Sequence, residues 1–310
     1  MNIDIGTIIG LIGVFLGGCA IILFFLDKIT KKDREVEIIK NEMARIFKTT
    51  EELLANEKEI LNKTKELSYS HHLRPELSIL VTKQWEFVEK TFHNRFEKHS
   101  ICRRIVTNHI NSNTNLLLDS GSTLDLVTFE LLTSNRENIN ILSNNVFAAM
   151  HLIGERRISF RLLSGLFNDR YAATYSKEAL GQIQNQDFNI IILATTAISY
   201  KSGIMVHKGD SENLSFKRAV LDNFDKSINA KLIIAADANK FIEEKDGHIG
   251  VLQENEWAAM ISKYASRIFI VTSSLRPEVE PVKRAEFEQQ IDLFRTAQIN
   301  IDYPKPFLQE

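Results

Sequence analysis

Leu116-Leu117-Leu118-Asp119-Ser120-Gly121-Ser122-Thr123 is the stretch from which the chain is best read. Three leucines stop at an acid, hydroxyls and a glycine, and residues 124–132 continue with helical character. A short apolar run closed by turn residues reads as a strand buried on both faces. Residues 119–123 read as a tight turn opening a helix. Hydroxyls and backbone N–H groups at a helix N-terminus suit a phosphate, although Ser and Thr also serve simply as caps.

The same alternation spreads outward. Apolar runs at 139–142, 160–163, 190–193, 232–235 and 268–271 read as further strands. Helical stretches at 145–153, 177–183 and 216–224 separate most of them. This alternation predicts an α/β fold, a mostly parallel sheet covered by helices. Ligands of such sheets bind beyond the carboxyl ends of the strands, so the residues just after each run are the candidate site. After the first run come Asp119, Ser120, Gly121, Ser122 and Thr123; after the second, Ser143 and Asn144; after the third, Ser164 and Gly165. Thr195 and Thr196 come after the fourth run, and Asp237 and Lys240 after the fifth, while Lys217 lies in the helix leading to that fifth run.

Each type has a role to play. Ser120, Ser122 and Thr123 are candidate phosphate contacts, and Lys217 and Lys240 would neutralise its charge, unless they are ordinary surface lysines. Asp119 and Asp237 could accept hydrogen bonds from ligand hydroxyls, Asn144 offers a donor and an acceptor, and Thr195 and Thr196 line the rim. His151 and His207 read as ordinary surface or helix residues. The sequence lacks G-x-S-x-G, H-E-x-x-H, C-x-x-C and Walker A patterns, so no cofactor or metal is expected. A formal net charge of −2 lacks the footprint of a nucleic-acid binder. The two cysteines, Cys19 and Cys102, cannot form a disulfide framework and read as reduced and buried.

Taken in order, these motifs resemble the C-terminal domain of the DeoR family. That domain runs D-x-G-[ST]-T, T-N, G-G, V-K-R-A and A-D-x-S-K-F. Here the counterparts are Asp119 to Thr123, Asn144, Gly165, Lys217-Arg218-Ala219 and Ala236 to Phe241, with Lys177 to Leu180 and Gly203 between them. The resemblance runs from about Ile101 to Ile301. It implies a fold similar to ribose-5-phosphate isomerase and coenzyme A transferases, and binding of a phosphorylated sugar or related metabolite. The departures are specific. Thr195-Thr196-Ala197 replaces the family's glycine-rich turn, the second glycine after Gly165 is missing, and no helix-turn-helix precedes the domain. Isomerases of this fold carry acids after the fourth strand. None stands here, which argues against an enzyme and leaves a phosphosugar isomerase as the alternative.

The N-terminal third reads differently. Residues 5–26 carry no charge over 22 positions, enough for a helix of roughly 33 Å against a hydrocarbon core of ~30 Å. Lys28, Lys31, Lys32 and Arg34 come next, and positive flanks stay in the cytoplasm. The expectation is a single-pass inner-membrane protein, residues 1–26 spanning, N-terminus out and body cytoplasmic. Gly6 and Gly10, and Gly13 and Gly17, are spaced for helix association in lipid. Residues 27–74 then read as a coiled-coil-like stem, with Ile39, Ile46, Leu53, Ile60 and Leu67 at sevens. Residues 75–302 form the sensor-like domain with its leading helix, and 303–310 a tail. The expected partners are a phosphorylated small molecule, membrane lipid and further copies of the chain. The expected function is a sensor signalling through stem and span, a layout that would serve an antiphage or stress response as well as a scaffold for a partner protein.

Overall fold

The computed structural model describes residues 90, 94–243, 247–275 and 279–304. The spanning segment, its glycine pairs, the heptad stem and the tail after 304 lie outside them. The membrane-anchored, single-pass localisation is corrected: among the described residues no helix is long and apolar enough to cross a membrane. The longest of them run 16 residues and carry several charges, and such a helix extends only about 24 Å. The expectation of lipid as a partner finds no support among the described residues.

A helix, α1 (Arg95–His109), leads into β1 (Asn115–Leu118), α2 (Asp125–Leu132), β2 (Ile139–Ser143), α3 (Val146–His151) and β3 (Ile158–Leu162). A small hairpin, β4 (Leu166–Asn168) and β5 (Ala173–Tyr175), precedes α4 (Lys177–Gln184) and β6 (Ile190–Ala194). Then come β7 (Ala197–Ser199), β8 (Gly203–His207), α5 (Ser211–Lys226), β9 (Lys231–Ala236) and β10 (His248–Gly250). The chain closes with α6 (Glu254–Tyr264), β11 (Ile268–Thr272), α7 (Pro281–Thr296) and β12 (Asn300–Asp302).

Seven strands form one sheet in the order β12-β11-β9-β6-β1-β2-β3, every pairing parallel. The expected α/β architecture with a mostly parallel sheet flanked by helices is the one observed. Side-chain alternation explains the apolar runs. Leu116 and Leu118 pack into a core with Ile101, Ile105 and Val127, while Leu117 packs into another with Phe216, Phe224 and Trp257. Ile190 and Ile192 join the first core, and Ile191 and Leu193 the second. With both faces covered, every residue of the strand must be apolar.

The chain winds outward from the middle in both directions. It runs β1, β2, β3 to one edge, then returns to β6 and runs β9, β11, β12 to the other. The reversal puts a crevice beyond the carboxyl ends of β1 and β6, where open α/β sheets take their ligands. Beside it stands an antiparallel sheet, β10-β8-β7, that the sequence did not announce. Its shortest strands are three residues long, too few to show a period. Gly203 opens β8 at φ +68°, and a Cβ there would lie 2.6 Å from the Trp257 ring, so close packing of α6 requires the glycine.

Candidate functional site

At the crevice β1 hands over to Asp119, whose N–H donates to the Ile192 carbonyl at 3.0 Å and continues the pairing with β6. The carboxylate is fully buried. Its Oδ1 accepts the Ser120 N–H at 2.8 Å, and its Oδ2 accepts the Ala194 N–H at 3.1 Å and the Lys217 ammonium. Lys217 also donates to the Ala194 carbonyl at 2.7 Å. This pair joins β1, β6 and α5 in one place. Isolated, either charge would be prohibitively costly to bury.

Above the pair, residues 120–123 turn into α2. Gly121 sits at φ +128°, and a Cβ on it would come within 3.3 Å of Ala194. The Asp125 and Leu126 N–H groups close onto the Gly121 and Thr123 carbonyls. The helical turn thus begins inside the loop, and its leading N–H groups, Ser122 to Leu124, have no carbonyl one turn back to meet. From below, the Cys102 thiol donates to the Thr123 carbonyl at 2.9 Å. Burial, with Glu130 and Asp125 nearby, pushes that thiol far above its ordinary range and keeps it a protonated donor. The Thr123 hydroxyl is buried without a partner.

Lys98 reaches the loop from α1. Its ammonium donates to Ser122 Oγ at 2.9 Å and to the Lys90 carbonyl. Burial first, and the charge of Lys240 second, bring its pKa down to about 8. The sequence reading missed it. The available signal was a lysine heading the column Ile101, Cys102 and Ile105, which is otherwise buried and apolar.

These residues border a cleft of about 520 Å³. Of the expected site residues, Ser120, Gly121, Ser122, Thr123, Thr195, Thr196, Lys217, Asp237 and Lys240 line it. Lys217 reaches it with its ammonium already committed to Asp119. Asp237 lies 3.9 Å from Lys240 and accepts the Asn239 N–H at 3.2 Å. Asp119 sits beneath the floor, and Ser143, Asn144 and Gly165 are not among the lining residues. Ser143 Oγ accepts the Asn145 N–H, and the Asn144 carbonyl accepts the Thr174 N–H, fastening β2 to the hairpin. The Asn144 side chain is fully buried, and its amide has no partner. Gly165, at φ +143°, lies against the Tyr175 backbone. Arg170, Tyr171, Asn213 and His207 complete the cleft without having been expected there. His207, read as an ordinary residue, packs at a tilt of 47° against the His248 ring with centroids 4.4 Å apart. His151 pairs instead with Asp125 at 3.4 Å, away from the cleft.

Comparison with known proteins agrees with this frame. Residues 93–259 match the family described as the DeoR C terminal sensor domain. A protein described as a putative aga operon transcriptional repressor of Escherichia coli O157:H7 is 23% identical over 155 residues, 49% of this chain and 53% of its own length. The chain thus spans about half the length of that relative. Among solved structures, ribose 5-phosphate isomerase from Plasmodium falciparum is similar over 46% of this chain and 51% of its own, with 17% identity and a TM-score of 0.31. Ribose 5-phosphate isomerase A from Methanocaldococcus jannaschii is similar over 47% and 54%, with 15% identity and a TM-score of 0.33. With the family match taking in more than half of the chain, this protein belongs to the DeoR C-terminal sensor domain family.

Proposed function

We propose that this domain is a regulatory sensor of a phosphorylated sugar or nucleotide-like metabolite, whose phosphate lies on the Ser120–Thr123 loop. The observation that carries the reading is the Lys98 ammonium on Ser122 Oγ, at the head of a helix and beside Lys240. A phosphate there would meet leading N–H groups, hydroxyls and cations together. Sensing rather than catalysis is favoured because proton transfer needs a poised carboxylate. Asp119 is sealed under Lys217, Asp237 accepts the Asn239 N–H and faces the Lys240 ammonium at 3.9 Å, and the turn after β6 supplies threonines. Lys98 also gives the ligand a route outward. A phosphate that draws its ammonium would loosen the contact with the Lys90 carbonyl, on the segment ahead of α1. A stem over residues 27–74 that assembles copies of the chain belongs to the same proposal.

Thermal melts of the full chain with ribose 5-phosphate and a panel of related phosphosugars test the site. A true ligand at ~100 times its dissociation constant adds roughly 2.7 kcal/mol. Its dephosphorylated counterpart should add far less. Ser122→Asp puts a negative charge where the phosphate belongs and should abolish the shift. Equal stabilisation of wild type and variant would remove this loop from the site.

Lys98 makes the binding depend on pH. Its pKa is about 8 without ligand, and a phosphate raises it by favouring the ammonium. Binding therefore takes up a proton, and affinity falls as pH climbs through the unliganded value. Between about pH 7 and about pH 9.5 the dissociation constant should rise by at least about tenfold. Lys98→Met should flatten the profile, and a flat profile in the wild type would remove Lys98 from the phosphate. The stability of the unliganded protein moves the other way. The folded pKa lies below the unfolded one, so this group's contribution improves as pH rises from about 8 toward about 10.5.

A further inference from the structure

We infer that the ligand does not end at its sugar, but continues toward an adjoining, more open compartment with a planar group carrying N–H donors, as a nucleoside 5′-monophosphate does. The inference rests on the phosphate reading above and narrows it to one class of molecule. Its first support is the shape of the cavity. The main cleft of about 520 Å³ shares Arg170 and Tyr171 with a second cleft of about 420 Å³ at the start of α5. Two clefts on either side of one wall offer more room than a pentose phosphate fills.

The second support is charge. Lys98 and Lys240 stand at the end with the Ser120–Thr123 loop, whereas the second compartment sets Asp210 and Glu212 against Arg170 and Lys208 and carries no net charge. Glu212 accepts from the Asn168 amide at 3.2 Å. An anion is drawn to the first end, and the balanced second end suits a neutral polar group.

The third support is Asn213. It lines the main cleft and is only 3% exposed. Its backbone N–H and its amide N–H both go to the Asp210 carboxylate, at 3.4 and 3.3 Å. A carboxylate only accepts, so this contact fixes the amide with its nitrogen toward Asp210. The Oδ1 is left buried without a hydrogen bond, and the neighbouring Tyr171 hydroxyl is likewise unpartnered. A buried acceptor kept unpaired is costly, and a ligand N–H would satisfy it. Between the two compartments Tyr171 presents a ring with the Arg170 guanidinium 5.8 Å from its centroid. An aromatic face beside a guanidinium suits a flat, delocalised ring. Phosphate, polyol and donor-bearing ring in that order describe a nucleotide.

The test uses the full chain, with equilibrium dialysis of ribose 5-phosphate and the common nucleoside 5′-monophosphates. At least one nucleotide should bind about tenfold or more tightly than ribose 5-phosphate, the ratio set by one well-made contact. Asn213→Leu and, separately, Tyr171→Leu should remove that advantage, the loss falling on the nucleotide and not on ribose 5-phosphate. Tyr171 is partly exposed, so its variant keeps the test open should the Asn213 variant fail to fold. If ribose 5-phosphate binds and every nucleotide binds no better, the extension is wrong and the phosphate site stands. Variants that weaken both probes alike also overturn it. If neither class binds, the phosphate reading falls together with the extension.

Discussion

Asp119→Ala should lower the free energy of unfolding by about 3–5 kcal/mol, because it strands a buried ammonium. The Lys217 side chain is 4% exposed and that of Asp119 is wholly covered. Without the carboxylate, Lys217 keeps only the Ala194 carbonyl, and the Ser120 and Ala194 N–H groups lose their acceptor. A second substitution separates charge from packing. Asp119→Ala combined with Lys217→Met removes both charges and keeps an unbranched chain in place. Replacing a buried pair with apolar groups is often neutral, so the double variant should recover most of the loss. Urea unfolding at neutral pH measures both. A single-variant loss below about 1 kcal/mol would show that the pair is not what joins β1, β6 and α5.

Gly165→Ala should cost about 3 kcal/mol or more, combining backbone strain with overpacking. At φ +143° an L side chain is strained, and its Cβ would lie 2.1 Å from the Tyr175 carbonyl oxygen and 2.2 Å from its carbon. Backbone cannot swing aside as a flexible side chain can. The obstruction would push the β3–β4 turn away from β5, and Tyr175 carries the hydroxyl 3.5 Å from Ser120 Oγ. Gly154→Ala is the control: its φ is +85°, but no atom lies within 4 Å of the added Cβ. Only the strain remains there. Equal losses in the two variants would mean that the Tyr175 contact yields easily.

Much of the body was legible in the chain. The run Leu116–Leu118, with Leu117 facing one core and its neighbours the other, announces a strand buried on both sides. The same holds for Ile190 to Leu193. The three-residue strands, those of the β4–β5 hairpin included, were not legible, because three residues are too few to show a period of their own. Arg170 and Tyr171, at the tip of that hairpin, were missed for that reason. Gly165 was noticed as a strand-end residue, yet only the neighbouring Tyr175 backbone explains why a glycine stands there.

The sequence by itself determined the class of fold and pointed to the carboxyl ends of the strands as the candidate site. Both stem from local rules, alternation along a strand and free N–H groups at the start of a helix. The tertiary structure alone decided which charges meet. Asp119 and Lys217 are 98 residues apart, and Lys98 reaches Ser122 across 24. Each was visible in the chain as a charged residue, but whether a lysine stays free for a ligand or is consumed by a carboxylate depends on which strands become neighbours. The parallel crossover that puts β6 beside β1 brings Ala194 and the Asp119 carboxylate to α5, so Lys217 is taken up inside. Helix α1, packed on the opposite face, delivers Lys98 to the loop in its place.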